Sequence, residues 1–117
     1  MLLNEEDEGS FKMKNEQYAL ELVLFKLKEG TDKDSFRKAA AELSDVLQTQ
    51  LPGFKERQLL HTSDETQWTD IVYWSDMQMA VAAMEKLKSV PAFQTFASMI
   101  DSKDIHLLHL VPVNLEA

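Results

Sequence analysis

The sequence predicts an α+β domain in which one antiparallel sheet of four strands carries its helices on a single face. Two observations lead there. Runs with the two-residue alternation of strands and runs with the three-and-four spacing of buried helices follow one another as strand, helix, strand, strand, helix, strand. In addition, two of the four strand candidates are apolar on both sides, which suits interior positions, while the other two are more polar or carry a proline, which suits edges.

Taken in order, residues 1–16 hold the acidic cluster Glu5, Glu6, Asp7, Glu8 without a sustained period, so a solvated tail is expected there. The ordered domain is expected over 17–113 and a loose terminus over 114–117. Tyr18 to Lys28 reads as the first strand: Leu20, Leu22 and Leu24 share one face, and the other is apolar except for Glu21. Thr31, Asp32 or Asp34 can cap the helix that follows, whose stripe Phe36, Ala39, Ala40, Leu43, Val46, Leu47 ends near Gln50 before Pro52-Gly53. Phe54 to Thr62 is the second strand, joined by a Ser63–Thr66 hairpin loop to the third, Trp68 to Trp74. A hairpin symmetrical about Asp64 and Glu65 sets His61 against Trp68, Leu59 against Asp70 and Arg57 against Val72, which brings Arg57 diagonal to Asp70. Ser75 or Asp76 caps the next helix, with Gln78 placed for a capping box on Ser75, and Met77, Ala80, Ala83, Met84 and Leu87 form its inner stripe. A short helix from Ala92 to about Ile100 follows Pro91, and the last strand spans Ile105 to Val113.

This order is the ferredoxin-like plan. Right-handed crossovers put the first and third strands side by side in the middle of the sheet, where their two apolar faces both need cover. The helices can supply only one side. The opposite side would leave a larger apolar surface than a lone chain normally exposes, so a second copy is expected to cover it.

Composition excludes several classes. The 117 residues suffice for one domain with a proper core, and the absence of cysteine removes disulfides, thiolate nucleophiles and thiolate metal sites. A net charge of −8 argues against a nucleic-acid partner. No apolar run is long enough to span a bilayer and no signal-peptide pattern opens the chain, so neither a membrane partner nor export is expected and the location is read as cytoplasmic. His106 and His109 fall on opposite faces of a strand and cannot jointly grip a metal.

Several residues carry a resemblance: Pro52-Gly53-Phe54 at a helix stop, Trp74-Ser75-Asp76 at a strand-to-helix junction, Ala80 and Ala83, and Pro91-Ala92-Phe93 with Phe96. Together they resemble the dimeric α/β-barrel superfamily, and within it the antibiotic-biosynthesis-monooxygenase (ABM) type of domain, over about Tyr18 to Val113. The resemblance implies a homodimer whose two sheets pack into a barrel, with a ligand cavity between each sheet and its own helices. It also implies a spread of activities, from cofactor-independent oxygenation of aromatic polyketides to small isomerases and haem degradation. The haem-degrading pattern is not met: its first-strand Asn falls on Val23, and its helical Trp and His fall where this chain has Ala83, Met84, Phe93 and Phe96. No cofactor is therefore expected.

The candidate site comes from polar residues that interrupt apolar strand faces. Glu21, Asp70 and His109 do so on three neighbouring strands. If the aliphatic sides of the strands coincide, Glu21, Arg57, His61, Trp68, Asp70, Trp74 and His109 share the other side. Asp70, Glu21 and His109 are then candidates for proton transfer, and Arg57, His61, Trp68 and Trp74 for holding a small apolar or aromatic ligand. The plainer reading is that Arg57 and His109 neutralise Asp70 and Glu21 in a network buried at the seam between two copies. The activity is left undetermined between a binding or structural dimer and a cofactor-independent monooxygenase or isomerase acting on an aromatic or enolisable substrate.

Overall fold

The computed structural model describes residues 18–116; the acidic tail expected over 1–16 lies outside them. The elements are β1 (Ala19–Phe25), α1 (Lys33–Gln50), β2 (Phe54–His61), β3 (Trp68–Trp74), α2 (Met77–Leu87), α3 (Pro91–Ser98) and β4 (His106–Leu110). The four strands form one antiparallel sheet in the order β2-β3-β1-β4, with the two doubly apolar strands in the middle as expected. The hairpin register is the symmetrical one: His61 opposes Trp68, Leu59 opposes Asp70 and Arg57 opposes Val72, with an irregularity between Phe54 and Glu56.

Helix entry follows local chemistry. The Asp32 carboxylate caps α1 by accepting from the Ser35 amide at 3.0 Å, and Asp76 caps α2 by accepting from the Met79 amide at 2.8 Å. The expected Ser75–Gln78 capping box does not form, because Asp76 takes the cap position and the Ser75 amide donates instead to the Gly53 carbonyl at 2.8 Å. Two strands are shorter than expected. β1 ends at Phe25 because the chain beyond it pairs with the end of α3: the Asp101 amide donates to the Lys26 carbonyl and the Lys28 amide to the Met99 carbonyl. β4 stops at Leu110, ahead of Pro112, which has no amide hydrogen to continue the ladder.

The register sorts every strand residue onto one of two faces. Ala19, Glu21, Val23 and Phe25 of β1 share the helix-covered face with Arg57 and Leu59 of β2, with Trp68, Asp70, Val72 and Trp74 of β3, and with Leu107 and His109 of β4. The core lies here. Phe36 of α1 stacks on Phe96 of α3 with centroids 5.0 Å apart and meets Trp68 edge-on at 5.1 Å, and Phe25 packs against all three rings. The other face carries Leu20, Leu22, Leu24, Leu60, Ile71, Tyr73, Leu108 and Leu110 with no helix over it, and Leu60 and Leu108 are each 48% exposed.

The turn between α1 and β2 is tightly constrained. Gly53 has φ +86°, and a β-carbon there would stand 2.6 Å from Met79 Cβ at the start of α2. Gly53→Ala therefore suffers both backbone strain and a clash that only a shift of α2 relieves. It is expected to lose about 2 kcal/mol or more of stability, read as a lowered midpoint in urea unfolding.

Candidate functional site

Between the sheet and its helices lies a cavity of about 280 Å³. Its floor is the strand face bearing Glu21, Val23, Asp70, Val72 and Trp74. Its walls are Leu43 and Leu47 of α1, Met84 and Leu87 of α2, and Phe93 and Phe96 of α3, with Leu107 of β4 at one side. The lining is almost wholly apolar, so the few polar atoms in it decide what the site can do.

Arg57 and Asp70 form the first polar group. Arg57 Nε donates to Asp70 Oδ1 at 2.9 Å and Nη2 donates to Oδ2 at 2.7 Å, a bidentate pair with both side chains buried. Arg57 Nη1 donates further to the Ala40 carbonyl and to Ser44 Oγ, at 2.8 and 2.9 Å. Ala40 and Ser44 stand one turn apart on α1, so the guanidinium ties the edge strand to the helix as well as to β3. The Phe96 ring lies 5.2 Å from the guanidinium carbon. Four hydrogen bonds thus leave Arg57 committed to the fold, and both Asp70 oxygens are occupied.

Glu21 is different. It is only 6% exposed and lies diagonal to Asp70 on the adjacent strand. Burial, reinforced by the Asp70 charge, pushes its pKa up to about 7. The Trp74 indole N–H is turned to the carboxylate and opposes the rise, yet closes no hydrogen bond of ordinary geometry on it. His109, opposite Glu21 in the β1–β4 ladder, brings Nε2 to 4.0 Å from Glu21 Oε2, too long for a hydrogen bond. Trp74 Nε1 and His109 Nε2 are both buried without a partner.

The expected constellation is thus divided. Glu21, Arg57, Asp70 and Trp74 line the cavity and His109 stands against Glu21. Trp68 shares their face but is packed into the aromatic core, its Nε1 donating to the Glu65 carbonyl at 3.2 Å. His61 is exposed beyond it, edge-on to Trp68 with centroids 4.7 Å apart. Neither borders the cavity, because both stand at the far end of the hairpin. The seam location is also corrected: the acids face the chain's own helices rather than the bare side of the sheet. Ser44 was not singled out in the sequence, although a hydroxyl between Ala40 and Leu47 in an apolar helical stripe is the signal for it.

No protein-family model matches the sequence, and no curated protein is similar to it at a significant level. Solved structures do share the fold. SnoaB from Streptomyces nogalater, a cofactor-independent oxygenase, superposes with a TM-score of 0.65 at 15% identity, over 86% of this chain and 96% of that one. A putative antibiotic biosynthesis monooxygenase from Nitrosomonas europaea gives 0.64 at 14% identity, over 86% and 94%. A dimeric ferredoxin-like protein of unknown function from Thermobifida fusca gives 0.64 at 13%, over 83% and 92%. The chain has the ferredoxin-like fold, and the structures that share it include a cofactor-independent oxygenase and proteins described as of unknown function.

Two measurements separate the acids. Asp70→Ala strands a buried guanidinium and is expected to cost about 3–5 kcal/mol in urea unfolding. Glu21 acts in the opposite sense. Because its folded pKa is raised, the native state holds a proton that the unfolded state releases, so stability falls as pH rises from about 4.5 to about 7 and stays low above that. The full effect is about 3 kcal/mol. Glu21→Gln should match the parent at pH 4 and exceed it at pH 8, flattening the profile.

Proposed function

We propose that this chain works as a homodimer, joined through the bare face of the sheet, that holds a small apolar or aromatic molecule in the cavity between sheet and helices. The observation that carries the reading is a roughly 280 Å³ apolar chamber lined by a buried acid, Glu21, whose pKa burial pushes up to about 7, beside a Trp74 Nε1 that closes no hydrogen bond of ordinary geometry. A buried group of that kind lowers stability, and an interior evolved for packing alone would be more stable with an apolar residue there. Dimerisation is supported by Leu60, Leu108 and Leu110 on the uncovered face and by fold neighbours described as dimeric.

An enzyme is the second reading, favoured by the same acid. A carboxylate titrating near 7 in an apolar site is poised as a general base or acid at neutral pH. Among the residues expected to transfer protons, Glu21 carries this role, His109 lies opposite it at 4.0 Å without a hydrogen bond, and Asp70 is withheld by Arg57. A cofactor-independent monooxygenase or an isomerase would both use such a group on an aromatic or enolisable substrate.

The assembly is tested by light scattering. The parent should give the mass of two chains at micromolar concentration, and Leu108→Asp with Leu22→Asp should give one chain that is still folded by circular dichroism. A single-chain mass for the parent sinks the dimer. Binding is tested by calorimetry with 1-naphthol: saturable uptake by the parent, abolished by Ala97→Phe, which fills the chamber, supports the ligand reading, and no uptake by the parent refutes it.

A further inference from the structure

We infer that the cavity is selective for a neutral lipophilic molecule bearing one carbonyl oxygen, received between the Trp74 indole N–H and the Glu21 carboxyl group, and that it rejects the matching carboxylate. This rests on the ligand-binding reading and adds to it the charge and polar group of the ligand. Trp74 is wholly buried, lines the chamber, and has its Nε1–H turned to Glu21 without closing a hydrogen bond of ordinary geometry on it. An indole can only donate, so the group that completes it must accept. Glu21 stands beside it in the same lining and, held largely protonated at slightly acid pH by its burial, offers a second donor to the same oxygen. A carbonyl oxygen has two lone pairs and takes both.

Charge supplies the exclusion. The ionisable groups facing Glu21 are Asp70 on β3, Arg57 on β2 beyond it, and His109 on β4; the lining from the three helices is apolar. Arg57 is the permanent cation among the described lining residues, and its four hydrogen bonds go to Asp70, Ala40 and Ser44. An entering carboxylate would give up its hydration in an apolar chamber whose permanent cation, Arg57, is already committed to Asp70, whereas a neutral ketone has far less hydration to lose. The chamber also limits size. At ordinary interior packing density it accommodates a molecule of about ten to twelve non-hydrogen atoms, the bulk of a fused bicycle.

The test is calorimetric titration at pH 6 with 2-decalone and with decahydronaphthalene-2-carboxylate, alongside 1-naphthol as a reference for the chamber itself. The ketone should bind at least tenfold more tightly than the carboxylate. Trp74→Phe and Glu21→Leu should each weaken the ketone by about tenfold, the loss of one buried hydrogen bond. Glu21→Leu exchanges a buried acid for an apolar side chain and so remains informative if Trp74→Phe fails to fold. Carboxylate binding equal to the ketone, or ketone binding untouched in both variants, overturns the inference. Uptake of 1-naphthol without uptake of the ketone overturns it while leaving the ligand reading standing, and uptake of none of the three defeats both.

Discussion

Two carboxylates buried side by side under the helices, with one permanent cation to serve them, are the constraint on which this structure turns. Glu21 and Asp70 lie on adjacent central strands and point to the same face. Arg57 reaches from the edge strand and satisfies only Asp70, through a planar fork that matches both oxygens. The remaining acid must then be neutral, hydrated or complemented by something that enters. Its pKa, pushed up to about 7, expresses the first option and exposes the strain of the arrangement.

The clamp also organises what surrounds it. Since Arg57 bonds to Ala40 and Ser44 as well as to Asp70, it joins α1, β2 and β3 at one point, next to the Phe25, Phe36, Trp68 and Phe96 cluster. That aromatic mass fills the space between sheet and helices at one end. At the other end the small residues Ala80 and Ala83 let α2 approach the sheet, while Met84, Leu87 and Phe93 leave a chamber between them. The site is thus the part of the interior that the aromatic core borders, through Phe25 and Phe96, but does not fill. The two faces of the sheet differ: one holds the polar groups over the chamber, and the other is aliphatic and carries no helix.

The order of elements and the pairing of strands were legible because each rests on short-range chemistry. Alternation within β1 and β3 marked them as strands with two apolar faces, and the six-residue span between His61 and Trp68 held the hairpin to one register, bringing Arg57 to Asp70. The coincidence of aliphatic sides correctly put Glu21, Asp70 and His109 together. The Ser75–Gln78 capping box was misread for a local reason: two cap residues in succession compete, and the Gly53 carbonyl claims the amide of the first.

By itself, then, the sequence determined which residues share a strand face and which strands are central, since a period of two and a short hairpin leave little freedom. Only the tertiary structure decided which side of the sheet the helices cover, and so whether the acids meet a chamber or a seam. Both sides are apolar enough to bury, and alternation is blind to the sign of the face. The packing of α1 against Arg57 breaks that symmetry, and the same packing leaves Trp68 and His61 outside the site while Glu21 lines it with no bond from the guanidinium.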